Sequence, residues 1–188
     1  MEQRIQNELT RVEQAHGVKV LYACESGSRG WGFASQDSDY NVRFIYAHPA
    51  DWYLAVCPEK QRDVLESGIV STPDGVLDCS GWDVRKALRL LQKFNGALPE
   101  WLTSPIVYRK QGSFADRALS AATQGFSPLT LWHHYRSIRN KSLERFQTKQ
   151  TAKVWLYAFR PMLAMLWIER GLGIPPTPFE ILVRELLS

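Results

Sequence analysis

Cysteine is scarce in this 188-residue chain: Cys24, Cys57 and Cys79 are odd in number, widely spaced and include no CxxC pair. That pattern excludes a disulfide-stapled peptide and fits free thiols buried in a reducing cytoplasm. An apolar signal core is also lacking, because the first residues, MEQRIQNELTRVEQAHG, are polar, and export is not expected. The longest apolar stretch, 154–168, is too short for a membrane span and contains Arg160 and Pro161. Internal repeats and low-complexity segments are missing as well, so neither a solenoid nor a disordered tract is expected. What is present is an ordinary charged fraction of 22%, seven Trp, a net charge of +4 and a pI near 9.0. This composition suits a folded globular chain of one domain, with or without a helical appendage. The mild basicity is compatible with nucleotide, RNA or other anionic partners, and equally with a solvated surface.

Residues 2–15 carry Ile5, Leu9 and Val12 at helical spacing, with Gly17 in the stop position. A continuous apolar run, 18–24, reads as a strand covered on both faces and leads into Glu25-Ser26-Gly27-Ser28. From Tyr40 to Ala47 the pattern alternates: Tyr40, Val42, Phe44 and Tyr46 face one way, and Asp39, Asn41, Arg43 and Ile45 the other. A short helix or turn is expected over 51–56. The Thr72-Pro73-Asp74-Gly75 cluster predicts a hairpin between strands 63–70 and 76–80, the second carrying Asp78. Asp83 suits the N-cap of a helix running to about Phe94, with Val84, Leu88 and Leu91 on its buried face and Asn95-Gly96 at its end.

Beyond residue 96 the pattern is helical: a turn at 99–102, a capping box at Ser113 and Asp116, and Ser127-Pro128 opening a helix over 128–146. A further helix over 151–170 should be kinked or divided at Pro161. Another capping box, Thr177 to Glu180, opens the last helix. The layout is α/β (α+β): a small mixed sheet over residues 1–96, then a helical region over 97–188.

A Gly-Ser turn supplies backbone amides and a hydroxyl that can hold a phosphate, although the same pair is also the composition of a simple turn. Carboxylates on one face of a strand repel unless a cation sits between them, and a hard divalent ion bridged to a substrate phosphate is the usual solution. Asp39 and Asn41 share that face here, with Asp37 in the preceding turn. The order of features is more telling than any one of them: strand, Gly-Ser, Asp39, strand, then Asp78 on another strand. His133 and His134, about 100° apart on a helix, make a poor metal pair and read as helix polarity. Lys153, Tyr157 and Arg160 lie on one helical face, as a mixed surface stripe or as a cationic and stacking wall for a nucleotide. Arg29 and Lys86 are further candidates for phosphate contact. The tryptophans read as packing residues.

These blocks resemble the hG[GS]…Dh[DE]h signature of the DNA polymerase β-like nucleotidyltransferase superfamily. The stretches GSRGWGFASQDSDYNVRFIY, LDCSGWDVRKALRLLQKFN, EWLTSPIVY and WLYAFRPMLAMLWIERG are similar, more closely, to predicted nucleotidyltransferases of the YcgL and RNA-repair-associated group. The resemblance covers most of the chain. It implies a nucleotidyltransferase core closed by the helical region, transferring NMP from an NTP, ATP first, to a hydroxyl on RNA, protein or a small molecule. It also implies that Gly27, Ser28, Arg29, Lys153, Tyr157 and Arg160 bind the nucleotide. Positions 39, 41 and 78 would form the catalytic set and hold Mg²⁺ or Mn²⁺. The chain departs from the pattern at position 41, where Asn41 replaces a carboxylate and can neither bring negative charge nor act as a base. Lost activity, a tolerated variant supported by Asp37, and a deliberate substitution that traps nucleotide are the readings left open. With activity lost, the chain would be a nucleotide-binding regulatory protein. The family pattern further suggests a longer carboxy-terminal helical region.

Overall fold

The computed structural model describes residues 1–54, 62–73 and 75–187. Helix α1 (Glu2–His16) buries Ile5, Leu9 and Val12, and Gly17 closes it in the left-handed conformation that a C-cap favours. A mixed five-stranded sheet follows, built from β1 (Lys19–Ser26), β2 (Tyr40–Ala47), β3 (Val64–Thr72), β4 (Gly75–Asp83) and β5 (Val107–Lys110). Its spatial order is β3-β4-β2-β1-β5. Among the described strands β2 and β4 run parallel, and the other neighbours are antiparallel.

Alternation along β2 sorts its side chains between two cores. Val42, Phe44 and Tyr46 pack beneath α1 with Leu77 and Cys79, while Ile45 joins the opposite face. That second face is covered by α4 (Val84–Gln92), α5 (Ala97–Leu102) and α6 (Phe114–Gln124). Asp83 caps α4 as expected, accepting from the Arg85 amide at 2.8 Å. Val84 and Leu91 reach the core, but Leu88 is half exposed, and Ala87 takes the buried position instead. At Gly81 an added Cβ would overlap the Phe44 ring, so the sheet needs glycine there.

The strand β5 and the helices α5 and α6, all beyond residue 96, build onto the sheet. The short helices α2 (Gly27–Trp31) and α3 (Ala50–Tyr53) lie in the connections flanking β2. The remaining helices, α7 (Pro128–Thr148), α8 (Ala152–Glu169) and α9 (Phe179–Leu187), form two further clusters. Leu131 and Tyr135 of α7 pack on Ala164, Met165 and Ile168 of α8; Leu163 of α8 packs on Leu182 and Leu186 of α9.

Helix α8 runs undivided through the buried Pro161. Two other local expectations give way to tertiary contacts. Asp116 pairs with Lys110 at 2.6 Å instead of completing a capping box with Ser113. Thr177 turns away from α9, donating to the Glu100 carbonyl at 2.9 Å and meeting the Thr103 hydroxyl at 2.8 Å. Cys24 and Cys79 are buried free thiols, and burial pushes the Cys79 thiol up to about 12. Cys57, Asp74 and the end of the expected 51–56 helix lie outside the described residues. No described helix is long and apolar enough to cross a membrane.

Candidate active site

The site begins where β1 ends. Ser26 is registered against Asn41, and Gly27 turns the chain into α2 with φ +66°, a conformation that favours glycine. A Cβ there would stand 3.5 Å from the Asn41 amide nitrogen, so Gly27 lies directly against position 41. Ser28 is buried in the first turn of α2. Beneath them sits Glu25, fully buried, which sequence patterning did not single out. Its carboxylate accepts from the Asn41 backbone amide at 2.7 Å and from the Tyr108 hydroxyl at 2.6 Å. Burial raises the Glu25 carboxyl above its ordinary range, and the two donors pull it partly back. One buried group thus ties β1, β2 and β5 together behind Asn41.

On the outward face the parallel register sets Asn41 beside Asp78. Arg43, two residues along β2 on the same face, spans both. Its Nη2 donates to Asp78 Oδ2 at 2.7 Å and to Asn41 Oδ1 at 3.3 Å. Its Nη1 donates to the carbonyls of Asp78 at 3.2 Å and Val42 at 3.1 Å. Asp39, one residue before β2, is exposed, and its carbonyl accepts from Asn41 Nδ2 at 3.4 Å. Asp37 is exposed in the preceding turn.

A cleft of about 440 Å³ opens above this face. Asp39 and Asn41 line one wall; Lys141 and Arg145 of α7, Lys149 of the connection and Lys153 of α8 line the other. Tyr157 closes one side, set edge-on to Trp31 with ring centroids 5.0 Å apart. Lys153 also donates to the Ser38 hydroxyl at 3.2 Å, joining α8 to the loop before β2. Lys141, Arg145 and Lys149 were not among the residues singled out by motif. Their spacing of four along the chain was the available signal.

Other expected contacts fall elsewhere. Arg29 spends its guanidinium on the Ser38 carbonyl, at 2.7 and 3.2 Å, and on the face of Tyr40. Lys86 pairs with Asp63 at 3.0 Å and does not line the cleft. Arg160 is 1% exposed and lies behind the wall, not in it. It pairs with Glu100 at 2.7 Å, donates twice to the Thr177 carbonyl and lies over the Trp31 ring. Gly27, Ser28 and Asp78 border the site without lining the cleft. His134 is partly buried beside Gly96, and burial lowers its pKa. A larger hollow of about 780 Å³ beside β3, lined by His16, His48 and Trp52 among others, holds none of the motif residues.

Among the described residues no three His, Cys, Asp or Glu side chains gather as a metal cluster. The oxygens available at the site are the Asp39 and Asp78 carboxylates and the Asn41 amide. Two of these three already converge on one positive centre, Arg43 Nη2, so the donor set is compatible with a single cation. Opposite them the cationic wall can take up a polyphosphate.

The family model described as the RNA repair pathway DNA polymerase beta family matches residues 1–188. Protein YcgL of Bacillus subtilis (strain 168) is 44% identical over 190 residues, spanning 100% of this chain and 71% of its own length. The crystal structure of a nucleotidyltransferase-like protein from Exiguobacterium sibiricum 255-15 aligns with 98% of this chain at 11% identity. The TM-score is 0.44, and this chain spans 62% of that protein's length. The full-length family match and the close relative together establish that the chain belongs to the RNA repair pathway DNA polymerase beta family.

Proposed function

We propose that this chain binds a nucleoside triphosphate, ATP first, in the cleft and transfers its nucleoside monophosphate to an acceptor hydroxyl, releasing pyrophosphate. The observation that carries the proposal is the cleft itself, with Asp39 and Asn41 facing Lys141, Arg145, Lys149 and Lys153. The cations hold and neutralise the triphosphate, and Tyr157 offers a ring edge beside it. The acceptor oxygen bonds to the α-phosphorus, and the bond to the β-phosphate oxygen breaks with its electron pair leaving on pyrophosphate. The hydroxyl proton passes to Asp39, the carboxylate lining the cleft. Gly27 lets the backbone lie close against Asn41 at the border of the cleft, while Glu25 holds the Asn41 backbone in place.

Polymerase β-like relatives typically use a divalent metal, and Asp39, Asn41 and Asp78 would hold Mg²⁺ or Mn²⁺ here. When bound, such ions would acidify the attacking hydroxyl and neutralise the leaving pyrophosphate. The family description makes an RNA hydroxyl the first acceptor to test, before protein and small alcohols.

One observation favours a second reading. Asn41 brings no charge, and Arg43 already satisfies Asp78, an arrangement suited to nucleotide binding without transfer. Purified protein and Asn41→Asp, incubated with α-labelled NTPs, Mg²⁺ or Mn²⁺ and RNA, separate the two. Label transferred by both supports the enzyme. Transfer by Asn41→Asp alone makes this chain a nucleotide-binding protein with disabled chemistry, and transfer by neither, despite tight ATP binding, removes the enzymatic reading.

A further inference from the structure

Arg43 is the one cation on the catalytic face of β2, and its four hydrogen bonds give it a defined seat. Two acceptors are backbone carbonyls, those of Val42 on its own strand and Asp78 on the next, so the sheet itself orients the guanidinium. The other two are side-chain oxygens at positions 41 and 78. Arg43 and Asp78 are only partly exposed, at 21% and 34% for their side chains, so solvent screens the pair incompletely.

A divalent ion coordinated by the same two oxygens would compete with Arg43 Nη2 for their one shared point of contact. Two positive centres cannot share that point, because like charges in contact repel strongly in a partly desolvated site. We infer that Arg43 and a divalent cation are mutually exclusive occupants of the oxygens at positions 41 and 78, so that Arg43 sets the metal affinity of this site. Asn41 weights the competition. A guanidinium accepts a neutral amide oxygen as a partner readily, whereas a hard ion draws most of its binding from anionic oxygen. An aspartate at position 41 would strengthen both contacts but favour the doubly charged competitor more. The inference rests on the proposed site, yet concerns only which cation occupies it.

The test is Mn²⁺ titration, followed by the electron paramagnetic resonance signal of the free ion, on the parent chain, Arg43→Gln, Arg43→Lys, Asn41→Asp and the Asn41→Asp, Arg43→Gln double variant. Arg43→Gln should bind Mn²⁺ about tenfold more tightly, the scale of one charge-assisted pair. Asn41→Asp should tighten it by less than the double variant does. Arg43→Lys keeps the charge but cannot span all four acceptors, so it should tighten binding by a smaller factor. It carries the test should Arg43→Gln fail to fold. In thermal melts, Mn²⁺ should raise the midpoint of Arg43→Gln more than that of the parent.

Equal or weaker Mn²⁺ binding on replacing Arg43 overturns the inference. ATP binding measured in EDTA keeps the two proposals apart. If ATP binds and Arg43→Gln does not tighten Mn²⁺, the inference falls and the nucleotide site stands. If no form binds ATP while Arg43→Gln tightens Mn²⁺, the reverse holds.

Discussion

Replacing Arg160 with methionine should cost this protein stability and leave its nucleotide affinity nearly intact. Arg160 is 1% exposed and its partner carboxylate on Glu100 is also well covered, with the charged atoms 2.7 Å apart. The Thr177 carbonyl takes two more of its donors, and the Trp31 ring lies 4.7 Å from the guanidinium carbon. Methionine fills similar space but leaves the Glu100 carboxylate, among the described residues, with the Tyr135 hydroxyl, which donates to it at 3.0 Å. Breaking one side of a buried pair costs about 3–5 kcal/mol. For a chain of this size each kcal/mol lowers Tm by roughly 2–4 °C, so a fall of roughly 6–20 °C is expected. Urea unfolding gives the free energy, and calorimetric titration with ATP, at a temperature where the variant is folded, gives affinity. Adding Glu100→Gln should restore part of the loss, because the stranded charge is gone. Unchanged stability together with lost ATP binding would refute the buried-pair reasoning and return Arg160 to the nucleotide wall.

Glu25 predicts a pH effect of definite sign. Its folded-state pKa is raised, so the folded chain holds the proton longer and stability falls as pH rises from about 4.5 through the folded value. Glu25→Gln should flatten that slope in urea unfolding between pH 4 and 8, and a retained slope would assign it to another group. Arg145→Ala combined with Lys149→Ala should weaken ATP binding at least about tenfold and reduce its salt dependence, as measured by titration in 50 and 300 mM KCl. Gly81→Ala should destabilise by about 1–3 kcal/mol through overlap with the Phe44 ring. A neutral result in thermal unfolding would show that the ring has room to move.

The central strands were legible because period-two alternation is a strong local signal. Residues 40–47 sort their apolar side chains between two cores, and the chain obeys that pattern. The edge strand β5 was not, since its four residues, with Val107 exposed, show no run of buried positions and pair only with β1. Arg43 could be placed on the face of Asn41 by alternation alone, but its partner required the β2–β4 register, which joins residues far apart in sequence. Arg160 illustrates the converse problem. Lys153 and Arg160 do share a helical face, but seven residues advance the helix by about 10 Å. Over that distance the neighbour changes from the cleft to the packed interior around Glu100 and Thr177. The basic positions of α7 look like any solvated helix surface until the fold sets them across from Asp39.

The adjacency of Asn41 and Asp78 is written in strand registration rather than in a loop. Sliding β4 by one residue would set Leu77 or Cys79 beside Asn41 and drive Asp78 among the apolar side chains beneath α1. A chain that assembled its site wrongly would therefore also bury a bare carboxylate. Such a chain loses its fold along with its site, so the alternation that separates oil from water also proofreads the chemistry.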